Sequence, residues 1–208
     1  MRLSPLRTTT AFILFLAAAC APGSETTDPQ QAFWSAIDAL CGQAFAGTAI
    51  EAPAGDSTFA NRELVMHVRS CQERELRIPF HVGEDRSRTW VLARTDSGLR
   101  LKHDHRHEDG SEDPITQYGG DTDGPGSAGV QEFRADSLTA LLIPAAVTNV
   151  WTIEVTPGER FVYALRREGT DRRFRIEFDL TRPVPTPPGP WGAPTPRIVA
   201  PARPFSRP

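Results

Sequence analysis

Of the 23 lysines and arginines in this chain of 208 residues, only Lys102 is a lysine. No basic run stands out, and the formal net charge is -3. The electrostatic footprint of a nucleic-acid binder is therefore missing, and no nucleic-acid partner is expected. No apolar stretch reaches the roughly 20 residues that a membrane-crossing helix needs. The sequence has no Gly-x-Ser-x-Gly elbow, no P-loop, no His-Glu-x-x-His and no Cys-x-x-Cys. Those absences remove the usual signals for α/β-hydrolase, nucleotide, zinc-peptidase and dithiol chemistry. Cysteine is scarce as well, with three residues in all.

What is present begins with an export signal. Arg2 and Arg7 make a positive start, and "AFILFLAAA", residues 11–19, is a short apolar core ending in small residues. Residues 1–19 are read as a signal peptide on that layout. Cys20 follows at once in "LAAAC". This junction resembles the bacterial lipobox, where cleavage precedes a cysteine that becomes lipidated. Ala17 stands where leucine is usual, with Leu16 one place further out. The plainer alternative is an ordinary signal cut near the same point. The lipobox resemblance implies lipidation at Cys20, a polar tether over residues 20–27 and the membrane as a partner. Ala21, rather than aspartate, after the cysteine implies a place in the cell envelope, on the outer membrane facing the periplasm. Losing Arg2 and Arg7 takes the net charge from -3 to -5. Cys41 and Cys71 then remain as an even pair in an exported chain, which favours a disulfide. Its loop would be worth roughly 3 kcal/mol.

The pattern after the tether is first helical, then alternating. Asp28 suits an N-cap, with Pro29 at the first helical position and Gln31 at the third. Phe33, Trp34, Ile37, Leu40, Cys41, Ala44 and Phe45 follow a helical rhythm, and Gly47 reads as its stop. Alternation then sets Leu64, Met66 and Val68 on one face, with His67 and Arg69 on the outward one. Leu76, Ile78, Phe80 and Val82 do the same. Further strands are expected around Trp90, over residues 99–107, and in "GVQEFRAD", "NVWTIEV", "RFVYALRR" and "RRFRIEFDL". The glycine-rich segment 119–129 reads as a loop. At least eight strands with one early helix and no βαβ rhythm indicate an all-β chain. The expected architecture is an antiparallel up-and-down β-barrel, lipocalin-like in shape, with the helix over one end. A two-sheet β-sandwich is the alternative. The domain is placed at 28–182. A proline-rich tail follows at 183–208, its first part laid on the barrel through Trp191.

The stretch "LRLKHDHRHEDGSED" carries His103, His105 and His107. In a strand these share a face with Leu99 and Leu101, so they should point into the barrel and run toward its mouth. The opposite face, with Arg100, Lys102, Asp104 and Arg106, should meet water. Side chains two apart on a strand are separated by about 6.6 Å and four apart by about 13 Å. A neighbouring pair could therefore share one divalent metal ion, but not all three histidines. Asp109, Asp113, Glu132 and Asp136 are the candidate further ligands. The other reading is a polar network inside the barrel mouth. Tyr118, in "QYGGDT", is expected to face the same cavity and bind the same ligand.

The string "LKHDHRHEDGSED…QYGGDT", together with "SRTWVL" and "FDLTRPV", resembles a set of uncharacterised bacterial exported lipoproteins over residues 33–191. The resemblance implies export and a single domain, and brings no activity or catalytic residue. Three functions remain open: a binding module for a small ligand or metal ion at the histidine-lined mouth, a hydrolase or lyase using histidine or metal-bound water, and a structural envelope protein.

Overall fold

The computed structural model describes residues 28–53, 55 and 57–193. The signal peptide, Cys20, the tether and the end of the proline-rich tail lie outside the described residues. In chain order the elements are α1 (Pro29–Asp38), β1 (Ala44–Glu51), β2 (Leu64–His67), β3 (Ser70–Gln72), β4 (Glu75–Val82), β5 (Asp85–Thr95), β6 (Gly98–His105), β7 (Tyr118–Asp121), β8 (Val130–Ala135), α2 (Ser137–Leu142), β9 (Asn149–Thr156), β10 (Arg160–Arg167) and β11 (Arg173–Val184). No helix among them is long and apolar enough to cross a membrane.

After β1, every strand except β3 pairs antiparallel with the one before it. β11 returns to pair with β1, and β2 pairs with β4. The result is a closed ten-stranded up-and-down barrel, and the sandwich alternative is excluded. β3 lies against the same edge of β4 as β2, beyond a break at Val68 and Arg69. Across that break the Val68 backbone bonds to Gly42 and Gln43. Closure leaves no sheet edge to template aggregation. It also gathers every second side chain into one interior.

That interior is packed with rings. The Trp90 ring centroid lies 4.8 Å from that of Phe80, 4.3 Å from Tyr163, 6.1 Å from Phe161 and 6.0 Å from Phe178. Such pairs each add about 0.5–1.5 kcal/mol beyond the area they bury. α1 closes one end, burying Phe33, Trp34 and Ile37. Asp28 caps it as the sequence indicates, accepting from the Gln30 N–H. Arg94 lies over the Trp34 ring at 4.3 Å.

Several local expectations need correction. α1 stops at Asp38, and Ala44 and Phe45 belong to β1. Gly47 is therefore not a helix stop. It sits inside β1, where a Cβ would come within 2.6 Å of the Phe178 ring. Cys41 lies in an exposed turn rather than on a buried helical stripe. Gly119, Gly120 and Asp121 form β7 instead of a loop. A Cβ at Gly120 would lie 1.5 Å from the Arg134 carbonyl oxygen, so β7 and β8 can pair there only because the side chain is missing. A second helix, α2, follows β8, capped by the Asp136 carboxylate. β11 runs on to Val184, two residues past the expected domain end.

The outer face of β4–β6 is not free to meet water. The first part of the proline-rich segment lies on it, with the Trp191 N–H donating to the Arg86 carbonyl at 3.1 Å. Beneath this strap Asp104 is 5 % exposed and paired with Arg77 and Arg106. His67 and His81 face outward from the barrel as expected, yet each is only 5 % exposed. Burial lowers both of their pKa values, that of His81 to about 4, and the nearby Arg69 and Arg86 charges push the same way.

Cys41 and Cys71 are bonded, with their Cα atoms 6.2 Å apart. The bond ties the turn after α1 to β3. Replacing both by serine should lower the unfolding free energy by about 3 kcal/mol, since it reopens a loop of 30 residues. Urea titration of both proteins reads this directly, and equal midpoints would refute the stabilising role. A second expectation concerns acid. His81 is bound neutral in the folded barrel, while the unfolded chain takes up its proton at about pH 6.5. Stability should therefore fall as pH drops from 6.5 toward 4. His81→Gln should flatten that slope in urea titrations at stepped pH; an unchanged slope would show that His81 does not contribute to it.

Candidate functional site

The end of the barrel opposite α1 is built from one layer of facing residues. β6 alternates strictly, so Leu99, Leu101, His103 and His105 point inward. The β5 register sets Leu92 opposite Leu101, Trp90 opposite His103 and Arg88 opposite His105. On the other side of β6, Tyr118 sits opposite His103. The apolar interior thus gives way to polar groups over the last two inward positions of each strand.

His103 is 3 % exposed, and both of its ring nitrogens are engaged. Nδ1 lies 3.1 Å from the Tyr118 carbonyl oxygen, which can only accept, so Nδ1 carries the proton. Nε2 then accepts from the Tyr163 hydroxyl at 2.6 Å. The imidazole stacks on the Tyr118 ring at 4.5 Å and lies 5.2 Å from the Trp151 ring. Burial pushes the His103 pKa down to about 3. The same burial raises Tyr163 well above its ordinary value and lifts Tyr118 to about 12. These three groups are therefore neutral near pH 7. Neutrality is the cheap solution where an unpaired charge would cost several kcal/mol.

His105 stands one layer further out and is half-buried. Its Nε2 shares a hydrogen bond of 3.0 Å with the Tyr118 hydroxyl, and its backbone N–H donates to Thr116 Oγ1. Burial first, and then the Arg88 charge, lowers its pKa. His107 does not join them. β6 ends at His105, and the chain turns so that the His107 N–H donates to the Ser111 carbonyl. His107 is exposed and lies outside the mouth. The strand alternation that led to an inward His107 stops one inward position too early.

The candidate carboxylates are engaged elsewhere. Asp136 caps α2 and pairs with Lys102. Glu132 is held by Arg166. Asp109 accepts from Ser111, and Asp113 from the Ile115 N–H. Among the described residues no three His, Cys, Asp or Glu side chains gather closely enough to hold a metal ion.

Above the His103–Tyr163 layer lies a cavity of about 310 Å³. Its walls include Trp90, Tyr118, Trp151, Tyr163 and Phe174, with Phe59 reaching in from the segment between β1 and β2. Arg88, Asn149, Arg167 and Arg172 supply polar groups around it. Sequence reasoning missed these four. Arg88 and Arg167 continue the inward alternation two positions from Trp90 and Leu165, so their signal was present. Phe59 comes from an irregular segment, where no periodicity could reveal it. The cavity is small, with aromatic walls and several polar and charged groups around it, and its size falls at the lower end of small-molecule sites. Comparisons with protein-family models, curated proteins and solved structures find no match for this chain.

The His103–Tyr163 hydrogen bond can be tested by deleting one hydroxyl. Tyr163→Phe keeps the ring but leaves a buried imidazole nitrogen without a donor. The expected loss is about 1–3 kcal/mol of unfolding free energy. A change within about 0.5 kcal/mol, the ordinary range for a neutral surface substitution, would show that the bond does not hold this layer.

Proposed function

We propose that this chain is a lipid-anchored, periplasm-facing binding module that takes a small organic ligand in the mouth of its barrel. The observation that carries the reading is the cavity of about 310 Å³ above His103 and Tyr163, walled by rings and open at the rim. An open recess walled by rings leaves apolar surface in contact with water, which a bound ligand would cover. The anchor at Cys20 is the part of the proposal that rests on the "LAAAC" junction. It would hold the module at a membrane surface by acyl chains, which need a second signal or a second chain to bind durably.

The site suits binding better than catalysis. His103 is locked between two partners and holds its proton on the nitrogen facing a carbonyl. Among the described residues His105 has no carboxylate within hydrogen-bonding distance to orient it as a base. Polar groups that fix a ligand without transforming it are what this set provides.

Thr58 lies exposed at the rim, so Thr58→Trp places a large side chain across the opening. Native mass spectrometry of the full chain released from detergent micelles should show a small-molecule adduct on the wild type and a reduced one on the variant. Wild-type protein without any adduct, after purification from its own envelope, would contradict the proposal.

A further inference from the structure

Arginine supplies the charge that the described residues bring to the cavity. Three arginines and no aspartate or glutamate line it among the described residues. Arg88 is already matched, since its guanidinium pairs with Asp85 just outside the lining. Arg167 is different. Its Nε donates to the Asn149 side-chain oxygen at 2.9 Å, a neutral partner, and no carboxylate among the described residues pairs with it. β5 and β10 lie on opposite sides of the ten-stranded ring, so Arg167 faces the cavity from the side away from Arg88. Burial and the neighbouring Arg172 charge both lower the Arg167 pKa. Its guanidinium, only partly buried at the cavity, thus keeps a positive charge that no described carboxylate matches. An incoming anion would offset it, and a planar guanidinium offers two parallel donors to a carboxylate or sulfonate.

The walls specify the rest of the ligand. The Tyr118 and Trp151 rings lie 6.0 Å apart, and Tyr163 and Phe174 5.4 Å apart. Faces and edges of rings pack well against a flat, apolar body. At about 310 Å³ the space fits a body of one or two fused rings, near the lower limit of ordinary ligand sites.

We infer that the ligand of the barrel mouth is a small organic anion, its flat apolar body against Trp151 and Tyr118 and its anionic group on the Arg167 guanidinium. This inference rests on the binding reading above and narrows it to one chemical class.

Two probes of nearly equal shape test it, 2-naphthoate and 2-naphthamide, titrated by calorimetry into the full chain in mild detergent with empty micelles subtracted. Naphthoate should bind about tenfold more tightly than the neutral amide. Arg167→Gln should erase that difference while leaving amide binding unchanged, and Arg167→Lys should keep the preference for the charged probe. Arg160→Gln, at the far end of β10, should change neither affinity and so controls for overall charge. Equal binding of the two probes to the wild type, or a preference that survives Arg167→Gln, would overturn the anionic assignment while leaving the binding reading in place. Failure of both probes to bind the wild type would overturn both.

Discussion

A sheet that closes on itself has one interior, and every second residue of ten strands must share it. That constraint governs the rest of this molecule. β2 meets β4, and β11 meets β1, so no strand can slip without turning its whole apolar set to the outside. The shared volume is filled from the α1 end by Leu, Ile, Val and Phe side chains, and then by the stack around Trp90. Trp90 and Tyr163 mark the level where filling ends. His103 and Tyr118 stand at that same level; above it are His105, Asn149, Arg88 and Arg167, and the space between them is open.

The polar floor at that level is stable because it is neutral and saturated. His103 donates once and accepts once, to partners placed by β7 and β10. A charged imidazole there would lose its hydration and gain no carboxylate in return. Neutral histidine also appears on the outside of the barrel, where His67 and His81 are buried and Pro187 and Pro188 of the strap lie beside His81. Those histidines lack partners for one ring nitrogen each, and Arg69 and Arg86 face them. Neutral histidine thus seals one end of the interior and underlies the strap. Asp104, by contrast, is buried as a charge and is matched by two arginines.

Alternation made β4, β5, β6, β9, β10 and β11 legible, and with them the closed barrel. It also put His103 and His105 on the inward face. The paired cysteines followed from their number and from export. The missed elements share a cause: their residues answer to neighbours in space rather than to a local period. The small apolar residues of β1 continue the rhythm of α1, and only pairing with β2 and β11 makes them a strand. The two glycines of β7 look like a turn until the Arg134 carbonyl is seen where a Cβ would stand. The inward His107 was lost to a turn at residues 107–111 that the alternation could not foresee. The burial of Asp104 came from a segment more than eighty residues further along the chain, beyond the reach of any pattern in β6.

The central claim is that the barrel is dry and filled up to the His103–Tyr163 layer, so that the cavity has a floor. Imidazole nitrogen shifts, followed by long-range proton–nitrogen NMR from pH 8 downward, test this without perturbing the chain. His103 should stay neutral, with its proton on Nδ1, until the pH falls well below 5, because its pKa is pushed down to about 3. A His103 that titrates near pH 6.5, the ordinary value for the solvated side chain, would mean that water reaches it freely and that no such floor exists.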